Sequence, residues 1–262
     1  AITPAAAPRA PEVQAAFTRA GSGQMPLNEL LDQAQAWQNA GQNDAAADLY
    51  GEWIAHTDSP FKHVAAFNHG TILGALSRHA EAEAAYTLAL TLHAHFPQAR
   101  LNLGHALERK GEHAAALAQW QTVVNDTRDG GLEQRELCLH ALNNMARLNE
   151  QIRRYDVAEA LMRDSLTIKP DQFDVLQHYV HIRQKQCEWP MYQPVGQVTL
   201  NNLLVGTSAL AMLSASDDPA LQLMAAQRFV AEKVAKPPAR ALHTLGPQRS
   251  GKIRIGYLSG DL

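Results

Sequence analysis

Residues 70–89 read GTILGALSRHAEAEAAYTLA, and residues 104–123 read GHALERKGEHAAALAQWQTV. The two stretches carry one series of residue types in one register. Gly70, Ala82, Tyr86 and Ala89 recur 34 positions later as Gly104, Ala116, Trp120 and Val123. The series extends backwards to Ala34, Ala46, Tyr50 and Trp53 at a spacing of 36, and forwards to Ala146, Ala158, Met162 and Ser165 at a spacing of 42. Small residues let two helix backbones approach where they cross, and a larger side chain there would force them apart. The aromatic is expected to fill the gap towards the next unit. The sixteen residues are therefore packing positions of a repeated helix pair.

A period near 34 of this kind is the signature of tetratricopeptide repeats (TPRs), which stack into long binding surfaces and rarely carry out chemistry themselves. Spacings of three and four, with breaks at Gly41 and Gly111, predict helix pairs from Leu27 onwards. Ser59-Pro60 reads as a helix cap followed by proline in the first turn. The charged stretch Asn125–Glu136 accounts for eight extra residues between the third and fourth repeats, as a loop or a helix extension. The expected organisation has five parts. Residues 1–24 form a poorly ordered or loosely helical lead-in. Residues 25–190 form four TPRs and a partial fifth. Residues 191–235 form a helical cap, with helices over Asn201–Leu213 and from Asp218 to Val234. Residues 236–251 are a proline- and glycine-marked linker. Residues 252–262 alternate as a strand, which predicts that a further domain follows. The fold class is thus an all-α solenoid for most of the chain, ending on the first strand of an α/β lobe.

Composition narrows the function. The 46% apolar content leans on alanine, and the net charge is −3 with a pI near 6.5. That balance argues against nucleic acid, whose binders show a basic footprint. Without a membrane-length apolar segment or a secretory leader in the sequence, the expectation is a cytoplasmic protein. Cys138 and Cys187 show no paired spacing, so neither a disulfide framework nor a cysteine zinc site is expected. His178 and His181 lie three apart on one helix, and His93 and His95 form another close pair. A structural metal needs about four ligands, and no further ligand has suitable spacing, so no metal is expected.

Three local features remain. Asn68, Asn102 and Asn144 each stand two residues before the small residue of their repeat's first helix, and the fifth and first repeats place His178 and Asp32 there. In a TPR this slot faces the concave surface. The segment Cys187-Glu188-Trp189-Pro190-Met191-Tyr192 follows the last repeat helix, and Arg254-Ile255-Gly256-Tyr257-Leu258-Ser259-Gly260-Asp261 forms the terminal strand. Together these resemble the O-linked N-acetylglucosamine transferases, over about residues 27–262. That family joins a TPR array with an asparagine ladder to a two-lobed GT-B glycosyltransferase. It leaves its last repeat through a Cys-Asp-Trp-x-x-Tyr segment, where this chain has Glu188.

The resemblance implies a protein that transfers N-acetylglucosamine from UDP-GlcNAc to serine or threonine hydroxyls of proteins, with inversion and without a cofactor. The family's catalytic and donor-binding groups lie beyond the terminal strand, so no catalytic residue is expected in this segment. A side-chain amide offers donor and acceptor together and can pair with a peptide backbone. Asn68, Asn102, Asn144 and His178 are therefore the candidate contacts to an acceptor protein. Trp189 and Tyr192 are expected to pack the end of the array against the following domain, with Cys187 as a small buried hydrophobe at this junction. Gly260 and Asp261 are candidates for the vicinity of the donor site. A homodimer through the convex face stays open. The alternative is a non-catalytic TPR adaptor, such as one clamping an acidic C-terminus. It needs converging lysines and arginines, whereas Arg100 and Arg147 look scattered.

Overall fold

The computed structural model describes residues 11–234. The strand expected at 252–262, the linker at 236–251, and the candidates Gly260 and Asp261 lie outside them. The described residues form thirteen helices and no strand beyond one antiparallel bridge between Val195 and Val198. The chain divides after Thr207 into two compact units.

The first unit is a TPR-like solenoid. Its helices are α1 (Pro11–Gly21), α2 (Leu27–Asn39), α3 (Asn43–His56), α4 (Lys62–Ala75), α5 (His79–Leu92), α6 (Pro97–Arg109), α7 (His113–Thr127), α8 (Leu132–Gln151), α9 (Tyr155–Ile168), α10 (Phe173–Gln186) and α11 (Leu200–Gly206). Each helix packs on its chain neighbour from α2 to α11, and α4, α6 and α8 also touch one another in turn. The first helices of successive pairs thus line up along one face.

All sixteen recurring residues are buried. The two glycines show why. A Cβ on Gly70 would stand 2.7 Å from the Tyr86 ring, and one on Gly104 would overlap the Trp120 indole. Tyr86 and Trp120 therefore each lie on the glycine of their own repeat, and the Tyr86 hydroxyl also comes within reach of Asn102 in the next. The Trp120 indole donates to the Leu101 carbonyl of the same pair at 3.0 Å. Tyr50 also reaches onward, stacking on His69 with centroids 6.5 Å apart. In the fourth repeat Ser165 replaces an apolar residue and stays buried. Its hydroxyl donates to Asn143 at 2.7 Å and accepts from Gln172 at 2.9 Å, which satisfies a group that would otherwise be costly to bury.

A second periodicity lies in the turns. Gly41, Ser77, Gly111, Arg153 and Cys187 all have positive φ, at intervals of 36, 34, 42 and 34. The amide that follows each one bonds back to a buried residue five positions earlier in the chain than itself. The acceptors are the carbonyls of Trp37, Leu73, Leu107, Asn149 and Arg183, at 2.8–3.0 Å. This is the bonding of a Schellman helix end. Only glycine adopts this conformation without steric cost, so Ser77, Arg153 and Cys187 hold it against their Cβ atoms.

Several expectations need correction. The lead-in contains a packed helix: Ala16, Phe17 and Ala20 of α1 are buried, and Phe17 stacks on Trp37 with centroids 5.9 Å apart. Ser59 does not cap α4. It closes a preceding turn by accepting the Phe61 amide at 3.3 Å, and α4 starts at Lys62. The extra residues after α7 need no correction: they are mostly helix, one of the two forms expected, since α8 begins at Leu132.

The helix expected over Asn201–Leu213 is two. Thr207 is extended, and the Ser208 hydroxyl accepts the Ala211 amide to start α12 (Ala209–Ala215). In the second unit α12 packs with α13 (Pro219–Lys233). Asp218 caps α13 through the Ala220 amide at 2.8 Å, as the sequence predicts.

Candidate functional site

The aligned face carries a groove. Three cavities of about 220, 580 and 370 Å3 adjoin one another along α6, α8 and α10, the first also walled by α4 and α5. His105 and Arg109 border both the first and the second, and Arg147 and Gln151 border both the second and the third. Asn102 lines the first, Asn144 the second and His178 the third. Three of the four residues selected from the sequence therefore share one groove. Asn68 lies one repeat earlier on α4, half-buried, and is not among the residues lining it.

Each slot residue also engages the preceding repeat. Asn68 is within hydrogen-bonding reach of the Tyr50 hydroxyl. Burial pushes that phenol up to about 12, and Asn68 only partly offsets the rise. Asn102 stands likewise by Tyr86, whose hydroxyl also donates to Thr71 at 3.4 Å. The Asn144 amide bonds His105 Nε2 at 3.2 Å, and His178 Nδ1 meets Glu150 at 2.9 Å. An amide has two donor hydrogens and two acceptor lone pairs, so one such bond leaves capacity for a ligand.

Burial lowers the His105 pKa, an effect that Arg147, Arg109 and His140 reinforce and Glu108 opposes. The ring is therefore neutral at pH 7, and Nε2 can accept from Asn144.

The groove's charges are not scattered. Arg109, Arg147, Arg153 and Lys185 line its second and third parts. Arg147 donates to Glu108 at 2.7 Å. Burial raises the Glu108 pKa, but the Arg147 bond and the surrounding positive charge outweigh it and hold the carboxyl below its ordinary value. Arg100, by contrast, bonds Gln119 at 3.0 Å and is not among the lining residues. The view of Arg147 as an isolated cation is thus corrected.

The segment after α10 is held by a residue that the spacing argument did not select. Arg183 is almost fully buried and donates to the carbonyls of Pro190 at 2.9 Å and Met191 at 3.2 Å. It also pairs with Glu159, which accepts Gln186 at 2.9 Å. Cys187 is exposed, contrary to expectation, because it occupies the left-handed turn position after α10. Trp189 is 75% exposed and Tyr192 half-buried, within hydrogen-bonding reach of Thr207. No group of three or more His, Cys, Asp or Glu side chains among the described residues could hold a metal. No described helix is long and apolar enough to cross a membrane.

A fold of stacked helix pairs with a groove along the first helices defines a TPR-type solenoid. Residues 139–172 match the family described as Tetratricopeptide repeat, and no curated protein matches the chain. Among solved structures, a tetratricopeptide repeat protein from Parabacteroides merdae is 16% identical, with a TM-score of 0.57 over 77% of this chain and 72% of that one. YrrB, described as a TPR protein with an unusual peptide-binding site, is 16% identical, with a TM-score of 0.52 over 80% and 97%. A MamA fragment from Desulfovibrio magneticus is 16% identical, with a TM-score of 0.51 over 61% and 84%. At these identities the likeness is one of fold.

Proposed function

We propose that the groove along α6, α8 and α10 binds an extended polypeptide, and that in the whole protein this polypeptide is the acceptor of an N-acetylglucosamine transferase. The observation that carries the first part is the continuity of the groove past Asn102, Asn144 and His178. Amides at repeat spacing pair with main chain, which every acceptor has, so recognition is largely independent of sequence. A peptide-binding site in a protein of the same fold supports this reading. The second part rests on the resemblance carried by Cys187–Tyr192 and by Arg254–Asp261. The comparisons reach the repeat fold and stop there. The donor, UDP-GlcNAc, would bind beyond Leu262, and the segment would supply acceptor recruitment.

The test uses the full-length protein with Asn102→Ala and Asn144→Ala together. Transfer from UDP-GlcNAc to a long unstructured protein should fall, while transfer to a short peptide that does not reach the groove should change less. Unchanged transfer to both refutes acceptor binding by these amides. Transfer to neither substrate by the unaltered protein removes the enzyme reading. The adaptor remains as the second reading, favoured by the cations gathered on the groove wall.

A further inference from the structure

The charge of the groove runs against that of the chain. The whole sequence carries a net −3, yet the second and third cavities are lined by four cations and by only two carboxylates, Glu108 and Glu150. Those two are already engaged and largely covered. Glu108 is 12% exposed and bonded to Arg147. Glu150 is 15% exposed, with His178 at 2.9 Å and Lys185 at 3.7 Å. The cations face outward: Arg147 is 49% exposed. Arg109 and Arg153 form no ion pair among the described residues.

The positions follow from the fold. Arg109 and Lys185 lie in the last turns of α6 and α10, at their C-terminal ends, while Arg147 stands one turn further in on α8. Cations are favourable at this end of a helix. Arg153 stands in the turn after α8 with φ 64°. Glycine fits that conformation without cost, so what the turn gains from arginine is the guanidinium on the groove.

We infer that this groove selects acidic segments: an extended polypeptide whose side-chain carboxylates meet Arg109 and Arg147 in the second cavity and Arg153 and Lys185 in the third. The inference rests on the polypeptide-binding reading above and names its substrate class. Packed helices lie about 8–10 Å apart, so α6, α8 and α10 together span roughly 18 Å. An extended chain covers that distance in about five or six residues. Glutamates or aspartates within such a window would reach both cation pairs. Guanidinium groups suit carboxylates because they can bind both oxygens at once.

The experiment titrates the chain of residues 1–262 against unstructured 30-residue polypeptides with blocked termini, by fluorescence anisotropy. One carries clustered glutamates, a second has glutamine at the same positions, and a third has lysine. The expected order is glutamate, glutamine, lysine, with the glutamate form bound about tenfold more tightly than the glutamine form at low salt. Exposed pairs are individually weak and salt-screened, so the ratio should shrink at high salt. The Arg109→Gln/Arg153→Gln double variant should bring the two affinities together. Arg100→Gln, outside the groove, should keep the preference. Circular dichroism checks that both variants stay folded.

Equal affinity for the glutamate and glutamine forms overturns the charge selection and leaves polypeptide binding standing. No binding by any of the three overturns the polypeptide-binding reading itself. A preference that survives the double variant places the selection elsewhere and refutes this assignment.

Discussion

Gly70 and Gly74 sit on one face of α4, one turn apart, and the same substitution should move stability in opposite directions at the two sites. Exchanging glycine for alanine in a helix interior gains about 0.5–1 kcal/mol of backbone entropy and propensity. At Gly74 a Cβ would meet only the Tyr86 hydroxyl at 3.9 Å, an ordinary contact. Gly74→Ala should therefore stabilise by about 0.5–1 kcal/mol. At Gly70 the same atom would stand 2.7, 2.8 and 3.0 Å from three atoms of the Tyr86 ring. That ring is buried and hemmed in, because its hydroxyl bonds Thr71 and the Phe67 ring stands beside it, tilted by 51° with centroids 6.1 Å apart. Overpacking of this kind costs about 1–3 kcal/mol, so Gly70→Ala should be net destabilising by about 1 kcal/mol. The two variants should differ by roughly 2 kcal/mol, or about 4–8 °C in Tm for a unit of this size. Thermal melts followed by circular dichroism would read the difference. Adding Tyr86→Leu to Gly70→Ala should recover part of the loss, since it removes the ring atoms that clash. If Gly70→Ala stabilises as much as Gly74→Ala does, the close crossing of α4 and α5 is not what fixes glycine at the first position of the repeat.

Three further outcomes are expected. Ser77 is exposed with φ 60°, so Ser77→Gly should raise Tm by a degree or two. It relieves a left-handed cost of about 1 kcal/mol and loses about half of that to the freer unfolded chain. Burial lowers the pKa values of His105, His69 and His181, so the unfolded chain takes up protons first as pH falls. Stability in urea should be full above about pH 6.5 and decline below it. His105→Gln should make that decline shallower, and an unchanged slope would rule out His105 as a contributor. Tyr86→Phe should cost about 0.5–1.5 kcal/mol of stability yet retain polypeptide binding, because Asn102 remains on the groove wall. Asn102→Ala should weaken both, and equal binding by the two variants would show that the amide serves only the fold.

What the sequence reveals depends on how each residue type is chosen. The crossing positions recur because the packing of two helices admits only small side chains, so Gly70, Gly104 and their equivalents were legible from spacing alone. The turn slot is just as regular, yet only Gly41 and Gly111 were visible. At Ser77, Arg153 and Cys187 the backbone takes up strain that leaves no mark on residue type, and Cys187 was accordingly misread as buried. Arg183 was legible in principle. It falls at the position where Trp37, Leu73, Leu107 and Asn149 are buried, and a charge at a core position signals that something there must satisfy it. That something is the Glu159 carboxylate together with two carbonyls in the segment after α10, contacts that no spacing predicts. The groove cations were missed for a similar reason: Arg109 and Lys185 share a register but are separated by the uncharged Gln151 in the repeat between them, Arg147 and Arg153 stand at other registers of that repeat, and only the stacking of α6, α8 and α10 gathers the four.

The slot residues change character along the array in a way that joins the two proposals. Asn68 and Asn102 stand by phenol hydroxyls, Asn144 bonds a neutral imidazole, and His178 meets a carboxylate. The partner in the preceding repeat is thus a neutral group in the early repeats and a carboxylate in the last. The cations follow the same direction, being absent from the lining of the first cavity except for Arg109, which it shares with the second. A polypeptide lying along α6, α8 and α10 would therefore meet amides able to pair with any main chain at one end. At the other end it would meet guanidinium and ammonium groups that discriminate by side-chain charge. Recognition of backbone alone gives breadth, and charge gives selectivity mainly through the rate of encounter and the rejection of like charge. Removing the amides should then weaken all acceptors alike, whereas removing Arg109 and Arg153 should reorder them. Those are different results, and a groove whose two ends acted as one uniform surface could not produce both.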